Sequence, residues 1–226
     1  MNEWQGIPPA VVDMGYRYYR EIPGLSRVLQ PFWFADTETD HIGYLLGLAE
    51  FPEGAKILDV GCGTGETAGM MNEQRPDLTF TLLNFSLLQI RDASGDGKVC
   101  ASAHDMPFKD NSFDGVMFNA ALCNMRHKQA LREAERVTRP GGVLFFNELE
   151  RASGDDRILE SMLFCHAYTT NEIRENLQGC CLSMHDTPDA KRLYLKEIWG
   201  DGCSYDAAFE GVVPGLWRFI KKGGTE

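Results

Sequence analysis

No apolar run in this 226-residue chain approaches the roughly 18 residues that a membrane-spanning helix requires. The chain also lacks a basic stretch. Its formal charge is −11, its lysines and arginines are scattered, and Lys221-Lys222 near the end does not make a basic face. A protein that grips a nucleic-acid backbone gains affinity by releasing counterions from such a face, so neither nucleic acid nor membrane is expected as a partner. Seven cysteines (62, 100, 123, 165, 180, 181 and 203) form no C-x-x-C pair, and five histidines form no H-x-x-x-H. Zinc-ligand spacing is therefore missing. No structural metal is expected, and the thiols read as reduced and mostly buried. The opening residues Met1-Asn2-Glu3-Trp4-Gln5 have neither a basic n-region nor an apolar h-region. A secretory signal is not expected, and a cytoplasmic location is.

What is present is an ordinary globular composition, 43% hydrophobic and 24% charged. The length suits one large domain, residues 1–226. Its centre is the stretch beginning at Lys56. Ile57-Leu58-Asp59-Val60 is a short apolar run of the kind buried on both faces of a sheet. Gly61, Gly63 and Gly65 then alternate, and a helix runs from Glu66 to Arg75, before Pro76. Strand, glycine turn and helix make the first crossover of a doubly wound α/β sheet, with backbone free to approach a ligand at a helix N-terminus. A carboxylate at the strand's end, Asp59, suits a cationic ligand better than a pyrophosphate.

Asp59-Val60-Gly61-Cys62-Gly63-Thr64-Gly65 resembles the first motif of class I S-adenosylmethionine-dependent methyltransferases, small-molecule enzymes among them. The resemblance continues through Ser112-Phe113-Asp114 and Arg136-Val137-Thr138-Arg139-Pro140-Gly141-Gly142, within Lys56 to Glu150. It implies a Rossmann-like, doubly wound, seven-stranded and mostly parallel sheet with an antiparallel last strand. Residues 1–45 would form an N-terminal helical cap over a core of residues 46–226. The implied cofactor is S-adenosylmethionine, with S-adenosylhomocysteine as product. Asp59, Gly61, Cys62, Gly63 and Gly65 would line it.

Before the sheet, helices are expected at Val12 to Glu21, Leu25 to Phe34 and Asp40 to Glu50. This segment is rich in aromatics, which pack on a core or, as the resemblance implies, cover the cofactor and shape the substrate pocket. The second strand, Phe80 to Phe85, should end on the acid that takes the ribose hydroxyls. It ends on Asn84 and Phe85, followed by Ser86-Leu87-Leu88-Gln89, a pattern similar to a subset of small-molecule methyltransferases. An amide offers one neutral hydrogen bond in place of a charge-assisted pair. After a third strand, Lys98 to Ala103, the family reads the adenine through a side-chain acceptor, here Ser102, and a backbone N–H, here Ala103. Asn119 ends the fourth strand, Phe113 to Asn119, at the edge where open α/β sheets bind ligands. Many relatives place a histidine in the loop that follows, where this chain has Cys123 and Asn124. An amphipathic helix at Lys128 to Thr138 and a fifth strand at Val143 to Leu149 come next, with Glu148 and Glu150 at its tip. Helices are expected from Asp156 to Ala167 and after a capping box at Thr169. Cys181 to Asp186 and Leu216 to Lys221 read as the last strands, the second antiparallel.

Methyl transfer from a sulfonium works mainly by positioning, and a base is needed only where the acceptor must lose a proton. His41, His104 and His166 are the candidate bases, each also readable as a structural histidine, while His127 reads as exposed beside Arg126 and Lys128. Candidate substrate residues are Arg17, Tyr18, Arg20, Trp33, Cys123 and Asn124; the arginines would meet an acidic group. The reading is methyl transfer to a small molecule, with oxygen or nitrogen favoured over carbon. Two alternatives stay open: carbon methylation of an isoprenoid diphosphate, and cofactor binding without turnover.

Overall fold

The computed structural model describes residues 6–19, 32–154, 157–190, 192–193 and 209–223. In chain order the elements are α1 (Pro9–Tyr19), β1 (Phe32–Trp33), α2 (Glu38–Ala49), β2 (Lys56–Val60), α3 (Glu66–Gln74), β3 (Thr79–Asn84), α4 (Leu87–Asp92) and β4 (Lys98–Cys100). There follow β5 (Phe113–Asn119), a 3-10 turn (Leu122–Asn124), α5 (His127–Val137), β6 (Thr138–Arg151), α6 (Arg157–Leu163) and α7 (Thr170–Asn176). Last come β7 (Cys180–Asp186), β8 (Arg192–Leu193) and β9 (Val212–Lys221).

Seven strands form one sheet in the order β4-β3-β2-β5-β6-β9-β7, and β9 runs antiparallel to both neighbours. Successive side chains of a strand point to opposite faces, and both faces are covered. Leu58, Val60, Val116, Phe118 and Trp217 pack with Leu131 and Ala134 of α5. Ile57, Met117, Phe145 and Leu216 pack with Ile42, Leu45 and Ala49 of α2 and Met71 of α3. The chain turns back on its strand order between β2 and β5, which places the crevice of an open α/β sheet at their carboxyl ends.

Several local expectations need correction. Helix α1 starts at Pro9, whose fixed φ and missing N–H suit a first helical position, three residues before the expected Val12. The expected helix at Leu25 to Phe34 lies mostly outside the described residues. Its described end, Phe32–Trp33, is instead a strand paired antiparallel with Arg192–Leu193. Strand β4 stops at Cys100, because its partner among the described residues, β3, ends opposite it at Asn84. His127 is buried: it opens α5 on the same face as Ala130, Leu131 and Ala134, with its ring 5.1 Å from that of Tyr168.

Candidate functional site

The glycine turn leaves β2 through Gly61 and Cys62, whose N–H groups donate to the Leu83 carbonyl at 2.8 and 3.2 Å. The outer glycines are packing positions. A Cβ on Gly61 would lie 2.6 Å from Ala121 Cβ, and one on Gly65 would lie 3.0 Å from the Ser94 carbonyl oxygen. Gly63 differs: at φ +57° it faces open space, with nothing within 4 Å of an added Cβ. Gly65 caps α3 with no side-chain bond, so the helix presents its first N–H groups uncapped by any side chain.

Beneath this turn Asp59 is 2% exposed and has no hydrogen bond or ion pair to the described residues. Burial pushes its carboxyl up to about 7. A buried carboxyl with no cation bonded to it among the described residues, under a turn whose middle residue leaves space, is a fitting place for a positively charged group. Burial, with the Asp59 charge adding to it, drives the Cys62 thiol far upward, so it stays protonated.

On the next strand Asn84 is buried and mostly engaged. Its Nδ2 donates to the Gly63 carbonyl (3.3 Å) and to Gln89 Oε1 (2.9 Å), and its Oδ1 accepts from the Ser86 N–H (3.2 Å). Both amide hydrogens are taken, leaving only acceptor capacity for a ligand. The neighbouring Phe85 is half-buried, and its carbonyl accepts from the Cys100 thiol at 3.6 Å. The idea that an acid would serve at position 84 therefore reverses. Asn84→Asp is expected to weaken both the turn and cofactor binding by roughly 1–2 kcal/mol, since a carboxylate cannot donate to the Gly63 carbonyl. Thermal melting and a cofactor titration of the variant check this.

At the third loop Ser102 Oγ accepts from the His104 N–H (3.1 Å) and lies 3.1 Å from His104 Nδ1, while His104 Nε2 accepts from the Arg126 N–H at 3.1 Å. The last bond assigns the proton to Nδ1. Burial, and then Arg126, lower the imidazole's basicity. This corrects two expectations. His104 ties two loops together and has no lone pair for a base's work, and Ser102 has its O–H left to donate where an acceptor was expected. Ala103 is buried beside it.

The loop after β5 is built on Glu148, which the isoprenoid alternative would use, like Glu150, as a carboxylate to take a proton. Its carboxylate accepts from the N–H groups of Ala121 (2.7 Å), Leu122 (2.6 Å) and Cys123 (3.3 Å). Burial pushes it up to about 7 while these three bonds pull the other way. Asn119 Nδ2 donates to Thr67 Oγ1 (3.0 Å), and its Oδ1 accepts from Asn147 Nδ2 (2.7 Å). Asn119 and Thr67 thus join β5 to the first turn of α3. Asn124 Nδ2 lies 3.3 and 3.4 Å from the sulfurs of Cys123 and Cys165. The Cys165 contact, followed by burial, raises the Cys123 thiol well above its ordinary value, which removes a thiolate nucleophile.

The remaining candidates disperse. His41 is buried on α2, its Nδ1 accepts from the Phe34 N–H at 3.3 Å, and burial lowers it to about 4. His166 holds Glu160 Oε1 at 2.7 Å through Nδ1, and its N–H donates to the Cys123 carbonyl at 2.8 Å. Both are explained as structural ties. Glu150 faces His185 Nε2 at 2.6 Å and accepts from Thr170 Oγ1, on the α7 side of the sheet. Arg17 is exposed on α1. Arg20 and the side chains of Tyr18 and Trp33 lie outside the described residues. Among the described residues no group of three or more His, Cys, Asp or Glu is placed to hold a metal ion, and no helix is long and apolar enough to cross a membrane.

Comparison with known proteins accords with this geometry. Residues 58–146 match a family model described as a methyltransferase domain. A demethylmenaquinone methyltransferase of Mycolicibacterium paratuberculosis is 32% identical over 179 residues, covering 75% of this chain and 73% of that protein. A ubiquinone/menaquinone biosynthesis C-methyltransferase of Bordetella avium is 36% identical over 121 residues, 49% of this chain. The chain spans less than half the length of that protein and of other curated relatives that it matches. Among solved structures, the 4+2 cyclase SpnF superposes with a TM-score of 0.77 over 99% of this chain and 100% of its own, at 17% identity, a likeness of fold. The chain belongs to the class I S-adenosylmethionine-dependent methyltransferase family.

Proposed function

We propose that this chain transfers the methyl group of S-adenosylmethionine to a small-molecule acceptor. The observation that carries the reading is Asp59, a buried carboxyl with no cation bonded to it among the described residues, set beneath the open face of Gly63. When bound, the cofactor supplies an electrophilic methyl on a sulfonium. The chain's own residues bind and orient. Ionised Asp59 supplies countercharge, and Gly63 admits the ligand to the backbone. Gln89 Nε2, not engaged by Asn84, takes the ribose together with the remaining lone pair of Asn84. Phe85, Ser102 and Ala103 flank the adenine. Asn119, fixed by Thr67 and Asn147, and the loop clamped by Glu148 shape the acceptor side with Cys123 and Asn124.

His104 has no lone pair to offer and His41 and His166 are buried and tied to Phe34 and Glu160, so this reading rests catalysis on alignment of the acceptor with the methyl, worth several orders of magnitude in rate. The carbon methylation named for the Bordetella relative supports an electron-rich carbon as acceptor over the oxygen or nitrogen favoured from sequence, the ring proton that the methyl replaces leaving to solvent. The test is incubation with methyl-labelled cofactor and a panel of phenols, amines, hydroquinones and an isoprenoid diphosphate, followed by S-adenosylhomocysteine and the fate of the label. Label on ring carbon is the expected result. Label on oxygen or nitrogen restores the earlier preference, and tight cofactor binding without turnover on any acceptor argues for a binding protein.

A further inference from the structure

The first described residues of the chain run across the mouth of the site. The Ile7 N–H donates to the Asn124 carbonyl at 2.8 Å. Gly6, at φ +78°, fits so closely that an added Cβ would lie 2.9 Å from that same oxygen. Helix α1 then begins, and Ser86 Oγ donates to Asp13 Oδ1 at 2.5 Å. One turn on, the Tyr16 hydroxyl donates to Asp92 Oδ2 at 3.1 Å.

The two anchors stand on opposite sides of β2. Asn124 belongs to the loop after β5 and Ser86 to the loop after β3, and β2 lies between those strands. Two strand spacings amount to about 9.6 Å; the four helical steps from Pro9 to Asp13 cover about 6 Å, and the two non-helical steps from Ile7 to Pro9 add up to about 7 Å, enough to bridge that distance. The segment therefore passes over the carboxyl end of β2, where Asp59 and the glycine turn lie.

Ser86 is the joint between this segment and the turn. It is buried, and its Oγ accepts from the Gln89 N–H (3.2 Å) while donating to Asp13. Its own N–H donates to Asn84 Oδ1, and Asn84 Nδ2 donates to the Gly63 carbonyl. A continuous chain of hydrogen bonds thus runs from Asp13 to the glycine that faces the ligand.

We propose that Asp13 is a positioning residue that holds α1 closed over the cofactor, so that the cofactor enters and S-adenosylhomocysteine leaves only when the Asp13–Ser86 contact opens. The inference rests on the glycine turn being the cofactor site. Its test is the release rate of S-adenosylhomocysteine from the full chain, followed by stopped-flow displacement. Wild type is compared with Asp13→Ala, Asp13→Asn and Gly6→Ala, with ligand-free thermal melting of each. Asp13→Ala is expected to release the ligand roughly tenfold faster or more, the effect of losing a charge-assisted bond. Asp13→Asn, which keeps an acceptor oxygen for Ser86, falls between. Gly6→Ala, acting at the opposite anchor, accelerates release as well, and ligand-free melting of the Asp13 variants falls only slightly, since the bond lost there secures one local helix. Wild-type release rates in both Asp13→Ala and Gly6→Ala, with or without a change in melting, overturn the proposal. Failure of the wild type to bind at all overturns the cofactor reading, and this inference with it.

Discussion

Gly63→Val is expected to remove measurable binding of S-adenosylmethionine while leaving the protein folded. The two halves of this expectation have separate causes. An added side chain at Gly63 meets no protein atom within 4 Å, so the fold loses only the local cost of holding a β-branched residue at φ +57°, about 1–2 kcal/mol. The space it fills is the space left for the ligand. An affinity loss of at least 100-fold, about 2.8 kcal/mol, is expected in a calorimetric titration. Gly61→Ala and Gly65→Ala provide the contrast. Their Cβ atoms would collide with Ala121 and with Leu82 and Ser94, so thermal melting, more than ligand binding, should report those changes. A folded Gly63→Val protein with wild-type affinity would detach the glycine turn from the cofactor.

The second large effect is at Asp59, where stability and binding should move in opposite directions. Burial raises the carboxyl from 3.8 to about 7. A folded-state value above the unfolded one means that the protonated carboxyl favours folding. That contribution is complete below about pH 4 and is lost as pH rises through about 7, amounting to roughly 4 kcal/mol for three units. Asn at this position never ionises. Asp59→Asn should therefore melt higher than wild type at pH 8, by roughly 1–3 kcal/mol after the cost of a buried amide without partners, with the advantage gone at pH 4. Cofactor affinity should show the reverse. Ionised Asp59 faces the cation, so wild-type affinity climbs between pH 6 and pH 8, whereas the variant binds more weakly and with little pH dependence. A variant both less stable and equally tight at pH 8 would contradict this assignment.

The parts of the fold written in local sequence are legible from the sequence alone. Ile57 to Val60, the alternating glycines and the helix to Gln74 are a strand, turn and helix whose signals lie within twenty residues. The capping box at Thr169 is formed as read, with Thr169 and Glu172 bonded reciprocally. What stayed hidden depends on partners far along the chain. Phe32–Trp33 is a strand because Arg192–Leu193 pairs with it. Glu148 looks like any polar residue at a strand tip until the loop 25 to 27 residues before it turns three N–H groups towards it. The three candidate histidines carry no sequence signal of the bonds that occupy them: His41 is tied to Phe34 and His166 to Glu160, a few residues away, while His104 Nε2 accepts from Arg126 in another loop. His127 could have been read correctly. It lies three, four and seven residues before Ala130, Leu131 and Ala134, on one helical stripe, and its charged neighbours obscured that period.

The central claim is that Asp59 and the glycine turn form a site for a cationic cofactor, and titration of the full chain with S-adenosylmethionine at pH 8 and pH 6 tests it most directly. The predicted result is one molecule bound per chain, with affinity several-fold weaker at pH 6, as expected for a carboxyl near 7 that must ionise to bind. No binding at either pH, or an affinity that does not weaken on acidification, would contradict it.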